Sequence, residues 1–486
     1  MGNRQKNSYS QEQQKNNEQI LKEGQKIEEG KIMQESNTIY EDYVWDCYNS
    51  RFLKTQFYIN ITSNQEIKYT NIEGSILRID YIKDTSKKPE ILTKLEQIKY
   101  LNWQGEYGEN LKKVGKWTVT WKGEILENVG GWYSEKDNGQ KVGLWKELIK
   151  NYWSKAQVYE IGEYQNGYRI GQWKYIYNNH QIGGGFYNES GQKIGKWIDI
   201  NDNFWEQSYI TLRGEYKNGI KVGFWNIYYN NNVGEQQTLL IGTGLFDDQE
   251  RGTKVGKWIE MREGSWRRSL IILIGNYKNQ EKVGLWDTYQ FWDKNIIKIG
   301  GGNYDENGGN IKVGRWIELN DGFRSDYQVI FRGEYYCGNK VGSWDTQWRC
   351  DYISPFQQIG GGSYDEKGYG VKIGNWIEQS DNFRSEGQVI TFEGDYRNGN
   401  KVGRWDYYWR ENKLEKYMQI GGGSYDKQGN GEKIGKWIEL SDNFFQNSKI
   451  TYKGVYKNNK KVGSWNEIKI DDKKIRQFRN MYQILL

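Results

Sequence analysis

Gly214-Glu215-Tyr216-Lys217-Asn218-Gly219-Ile220-Lys221-Val222-Gly223-Phe224-Trp225 is the stretch that decides the fold. Its end is one copy of a phrase that recurs thirteen times: a basic residue, Val or Ile, Gly, any residue, Trp. The Trp positions are Trp117, Trp145, Trp173, Trp197, Trp225, Trp258, Trp286, Trp316, Trp344, Trp376, Trp405, Trp437 and Trp465, thirteen of the chain's 23 Trp. Self-similarity at about 30 residues points to an array whose units pack only on their neighbours. The question of function then moves from a pocket to a surface.

Two forms of the unit alternate. One opens Gly-Glu-Tyr, as at Gly214; the other opens on a glycine run, as in Gly360-Gly361-Gly362-Ser363-Tyr364-Asp365 before Trp376. Several steps from a glycine-run Trp to the next Trp are 28 residues, as from Trp145 to Trp173 and Trp437 to Trp465. The reverse step runs from 24, Trp173 to Trp197, to 33, Trp225 to Trp258, which marks loops that tolerate insertion. The true period is a pair of units. Each unit reads as a β-hairpin, because Asn218-Gly219 and Asn398-Gly399 are tight-turn signals flanked by β-prone residues.

Successive strand residues point to opposite faces, so Lys401, Gly403 and Trp405 share one face, and Val402 and Arg404 the other. Gly two residues before Trp is expected to leave a gap across which a neighbouring ring lies flat. Tyr216 precedes Trp225 by nine residues, as Tyr396 precedes Trp405, so repetition predicts a row of alternating Trp and Tyr.

These twelve residues resemble the MORN repeat, G-x-[WY]-x-x-G-x-x-x-G-x-G. Gly214, Tyr216, Gly219 and Gly223 match, and Trp225 replaces the last Gly, as in every unit. The chain is similar to the MORN-variant repeats of bacterial antitoxin-like proteins and of repeat proteins in single-celled eukaryotes. The resemblance spans about residues 103–470. It implies a meander of antiparallel hairpins and a scaffold, membrane-associated organiser or partner-binding module, with no catalytic residues in the repeats.

The basic residue of the phrase is Lys113, Lys141, Arg169, Lys193, Lys221, Lys254, Lys282, Lys312, Lys340, Lys372, Lys401, Lys433 and Lys461. This row is a candidate for binding an anionic surface. The bland alternative is that each stem lies on the rings and each charge pairs with an acid, either Glu215, Glu334 and Asp395 or Glu318, Glu378 and Glu439. Aromatics interleaved with Lys also suit single-stranded nucleic acid, but 69 basic residues against 63 acidic ones argue against it. Met1-Gly2-Asn3-Arg4-Gln5-Lys6 is a partial myristoylation signal in which Lys6 stands where Ser or Thr is expected, so Gly2 is a candidate lipidation site.

No enzyme constellation emerges. His180 is the chain's single His, and Cys47, Cys337 and Cys350 have neither metal-ligand spacing nor a disulfide framework. Asp-Asn-Phe at 202–204, 381–383 and 442–444 reads as Asx-turns rather than metal ligands. No cofactor and no small-molecule substrate are expected. Three Cys without a disulfide framework point to a reduced, cytoplasmic setting, with association with a membrane or the cytoskeleton as its refinement, and no apolar run reaches membrane length.

The expected fold is all-β: an elongated, twisted single-layer meander of about thirteen antiparallel hairpins with an atypical N-terminal cap. Its parts are a low-complexity tail over 1–38, a capping segment over 39–102, the array over 103–470 and a C-terminal cap over 471–486. A closed propeller is the structural rival, since four strands per pair of units equal one blade. The expected function is a non-catalytic intracellular scaffold that binds protein partners, cytoskeletal ones among the candidates. The alternative is a peripheral membrane protein using an acylated Gly2 and the basic row.

Overall fold

The computed structural model describes residues 36–46, 51–85, 88–136, 139–202, 204–230, 238–249, 251–262, 270–292, 295–323, 328–349, 351, 354–380, 389–410, 417–441, 444 and 449–470. Gly2, most of the N-terminal tail, the C-terminal cap, Cys47, Cys350 and the 381–383 loop lie outside them. The chain divides into two compact units, residues 1–140 and 141–486.

The first unit holds a four-stranded antiparallel sheet: β1 (Ser36–Asp46), β2 (Arg51–Ile61), β3 (Glu66–Asn71) and β4 (Ile76–Tyr81), in that order. A short helix, α1 (Leu95–Tyr100), follows. Phe57, Ile59, Ile67, Tyr69, Ile82 and Ile98 form its core. The buried Asp42 carboxylate accepts the Leu95 backbone N–H at 2.8 Å and the Lys94 ammonium at 2.9 Å, tying β1 to the start of α1. The first array strands, β5 (Leu101–Tyr107), β6 (Lys113–Trp121) and β7 (Glu124–Tyr133), pair in sequence order.

The second unit is a meander of antiparallel strands running from β8 (Lys141–Leu148) to β30 (Lys460–Lys469), each paired with its sequence neighbours. No ladder joins β30 to β5 among the described residues, so the hairpin array stays open and is not a closed propeller.

Local sequence accounts for each hairpin. Asn218 (φ 49°) and Gly219 (φ 83°) make a two-residue turn with both φ positive, between β13 (Tyr209–Lys217) and β14 (Ile220–Asn230). Such turns match the twist of the strands they join. The Gly219 N–H also donates to the Lys193 carbonyl at 2.8 Å, which pins this turn to the preceding unit. The same bond recurs from Gly167 to Lys141, Gly338 to Lys312 and Gly399 to Lys372.

The two glycines of the phrase region have different jobs from those read in the sequence. Gly223, two residues before Trp225, has φ +64° and open space where a Cβ would stand. It supplies a left-handed conformation at a register shift between β13 and β14 rather than room for a ring. The room is on the partner strand. A Cβ on Gly214 would fall 2.3 Å from the Trp225 indole, which lies flat on that glycine. Gly185 lies in the same way under Trp197, Gly302 under Trp316 and Gly423 under Trp437.

A thin sheet can therefore bury large rings. Twelve of the thirteen phrase Trp are buried, and Trp465 on the last strand is half-buried. Indoles alternate with phenols across the second unit, edge to face, with Phe246 in place of a phenol between Trp225 and Trp258. In the middle the file runs Trp286, Tyr304, Trp316, Tyr335, Trp344, with centroid steps of 6.3, 5.0, 6.0 and 5.3 Å. Beyond the file on the same face lies an aliphatic strip. Loop residues Phe204, Phe323 and Phe444 are buried. Phe323 packs with Ile271, Ile299 and Ile330, and Phe444 with Ile390, Trp409 and Ile420. The Phe323 loop is an Asx-turn, in which the Gly322 N–H donates to Asn320 Oδ1 at 2.8 Å.

Candidate functional site

Two surfaces flank the sheet, and the phrase builds both. On the ring face, every phrase cation lies over its own Trp, from 3.8 Å for Lys282 over Trp286 to 4.7 Å for Lys433 over Trp437. The cations of the second unit are also paired. The acceptor is the carboxylate two residues after a glycine-run Trp: Glu147, Asp199, Glu260, Glu318, Glu378 and Glu439.

Each of these six carboxylates takes two cations. One lies on its own strand and one comes from the next hairpin. Glu378 holds Lys372 at 2.5 Å and Lys401 at 2.8 Å. Glu439 holds Lys433 at 2.6 Å and Lys461 at 3.0 Å. Glu260 holds Lys254 at 3.0 Å and Lys282 at 2.6 Å. Glu318 holds Lys312 and Lys340, the latter at 2.9 Å. Asp199 holds Lys193 at 2.7 Å and Lys221 at 3.5 Å. Glu147 holds Lys141 and Arg169, and Arg169 also reaches Glu160 at 2.6 Å. A tyrosine of the file donates its hydroxyl to the same acid, as Tyr216 does to Asp199 at 2.7 Å and Tyr396 to Glu378 at 2.8 Å.

The electrostatics follow from this geometry. Burial alone would raise the Glu318 carboxyl, but the hydrogen bond and charge of Lys312, with Lys340, hold it below the usual carboxylate range. Glu147, Glu260, Glu378 and Glu439 are depressed in the same way against the same cost. Burial pushes the Tyr304, Tyr364 and Tyr425 phenols up to about 12, with nearby glutamates adding to it. Burial also lowers the Lys221 and Lys282 ammoniums, opposed by Asp199 and Glu260 respectively.

The acids named from sequence fall into two groups. Glu318, Glu378 and Glu439 take the cations. Glu215, Glu334 and Asp395 are exposed and stand across from Lys196, Arg315 and Asn375 on the opposite face.

That opposite face carries the one position the phrase leaves free. The residue before Trp is exposed in all thirteen copies, and its identity ranges from Lys196 and Arg315 through Ser343 and Asn375 to Leu144, Phe224 and Leu285. Phe224 is 69% exposed and Leu144 72%, which burial cannot explain. Beside this row, between β18 (Glu281–Trp292) and β22 (Asn339–Arg349), runs a groove of about 920 Å³. Its lining includes Gly300, Gly301 and Gly302 with Asp287, Lys298, Arg315, Arg332 and Asp345.

Among the described residues no three His, Cys, Asp or Glu side chains converge as a metal site, and no helix is long and apolar enough to cross a membrane. His180 is exposed beside a turn, its Nδ1 2.7 Å from the Asn178 carbonyl oxygen. Cys337 is an exposed free thiol in the first position of a two-residue turn, with φ 47°. No protein-family model matches the chain, and no curated protein matches it.

Proposed function

We propose that this chain is a non-catalytic scaffold that binds protein partners along the face opposite its aromatic file. One observation carries the reading. The phrase keeps four of its five positions within narrow chemistry and varies the fifth, and the fifth is the exposed one in every copy. Three of the constrained positions have structural work. The cation covers a ring and pairs with an acid, the Gly sets φ, and the Trp seals the sheet. The free position has none, so its variety reads as recognition.

The half-buried, acid-paired state of the phrase cations supports a structural role for them. An exposed free thiol at Cys337 fits a reducing intracellular setting. The hairpins built on Gly214–Trp225 and its copies support a MORN-like class of repeat.

The test is proximity labelling in the source cell with the full chain and with a Leu144→Ser, Phe224→Ser, Leu285→Ser variant. These residues are exposed, so the variant keeps its fold, checked by its circular dichroism. The expected result is loss of the labelled neighbours. An unchanged neighbour set would sink the proposal.

A further inference from the structure

The last described strand of the array is built for a neighbour that none of the described residues gives it. Strands with a carboxylate two residues after the phrase Trp are each followed by a Gly-Glu-Tyr type of strand, whose Gly stands opposite that Trp. Trp316 faces Gly333, Trp376 faces Gly394 and Trp437 faces Gly454. The alternate phrase strands have Ile227, Thr288 or Thr346 in that place and are followed by glycine-rich strands.

By its own hairpin, β30 belongs to the second class, because it follows β29 (Ile450–Lys457), which holds Gly454 and Tyr456. Yet it carries Glu467, six residues after Lys461, as Glu439 lies six after Lys433. Glu467 is exposed and has no ion-pair partner among the described residues. Trp465 is the one phrase Trp left half-buried. The Lys461 side chain is 53% exposed, against 28% for Lys401 and 25% for Lys433.

A strand of the missing kind exists at the other end of the array. β5 holds Gly105-Glu106-Tyr107, pairs with β6 alone among the described residues, and exposes Asn102 to Glu106. Residues 471–486 contain no glycine of the kind that stands opposite a phrase Trp.

We propose that β30 of one copy adds antiparallel to β5 of a second copy, head to tail. The register of the interior junctions sets Trp465 opposite Gly105, Gly463 opposite Tyr107 and Asn466 opposite Gln104 of the second copy. Glu467 then accepts the Tyr107 hydroxyl of the second copy, as Glu439 accepts that of Tyr456 at 2.9 Å. Within one chain, Lys83 lies 4.0 Å over the Tyr107 ring, where Lys433 lies 5.1 Å over Tyr456. This flexible side chain gives way to Lys461 when the strand adds. The two edges differ, so the contact is heterologous and builds rings or filaments.

The first test is sedimentation velocity of the full chain across concentration. Growth in mass beyond the 57.5 kDa of one chain is expected, and Glu467→Lys, at an exposed position, lowers it. Mass that stays at one chain up to the solubility limit overturns the proposal, as does a Glu467→Lys variant that associates like the parent. The second test mixes a Gln104→Cys chain with a differently tagged Asn466→Cys chain, both carrying Cys337→Ser, under mild oxidation. A disulfide joining the two tags is expected, and none in the same mixture without the introduced cysteines. A double variant that instead closes the disulfide within one chain at high dilution overturns the second-copy assignment.

Discussion

The Trp225 indole lies flat on Gly214 of the adjoining strand, so close that a Cβ there would fall 2.3 Å from the ring. Gly223 needs its φ of +64° but has free space around it. The two glycines should therefore answer differently to Asn, which tolerates the left-handed region. Gly223→Asn is expected to lower stability by less than about 1 kcal/mol. Gly214→Asn drives a side chain into a packed ring and should cost about 1–3 kcal/mol or more. Urea melts of both variants, compared at equal slope, check the difference; equal losses would refute the assignment of roles.

Position in the file sets the worth of an indole. Trp286 is 2% exposed with a ring on each side, Tyr277 at 5.1 Å and Tyr304 at 6.3 Å. Trp286→Ala should destabilise by about 3–5 kcal/mol. Trp465 has Tyr456 at 5.2 Å on one side and no following strand among the described residues. Trp465→Ala should cost less than half as much, measured by hydrogen exchange over β18 and β30.

The shared carboxylates make single charge changes non-additive. Glu318→Gln leaves Lys312 and Lys340 facing each other without their acid. It should cost about 1–3 kcal/mol. Adding Lys340→Met to Glu318→Gln should recover part of that loss, although the same change alone is destabilising. A double-mutant cycle reads the coupling, and strict additivity would show that the pair does not interact.

The same carboxylates fix the acid limit. Their folded-state values are depressed by the paired cations, so the unfolded chain takes up protons first. Stability is fully present above the ordinary carboxylate value of about 4.3 and falls as pH drops below it through the lower folded values. Thermal melts should be flat from neutral pH down to that point and then fall steeply. The fall should be shallower in Glu318→Gln, which has lost one contributor.

Much of this was legible in the phrase. Its alternation placed Lys401 and Trp405 on one face, and the nine-residue step from Tyr216 to Trp225 implied the ring file. The turn at Asn218-Gly219 was visible for a local reason: both residues accept positive φ. Three features were not legible, each because it depends on a neighbour. Gly223 and Gly214 are both glycine in the text, and only the shifted register shows which one the indole covers. Glu318 was among the acids named for the basic row, but that it takes two cations, Lys312 and Lys340, the second through lateral pairing with the next hairpin, was not. The short helix over Leu95–Tyr100 rests on Asp42, far away in the sequence.

The sharing of one acid between two hairpins also governs how such a chain can change length. Deleting a single hairpin would strand a cation or set Thr288-type residues where an acid belongs, whereas deleting two adjacent hairpins restores every match. The array is therefore quantised in pairs. A designer who wants a longer ruler without breaking this pairing must add two hairpins at a time.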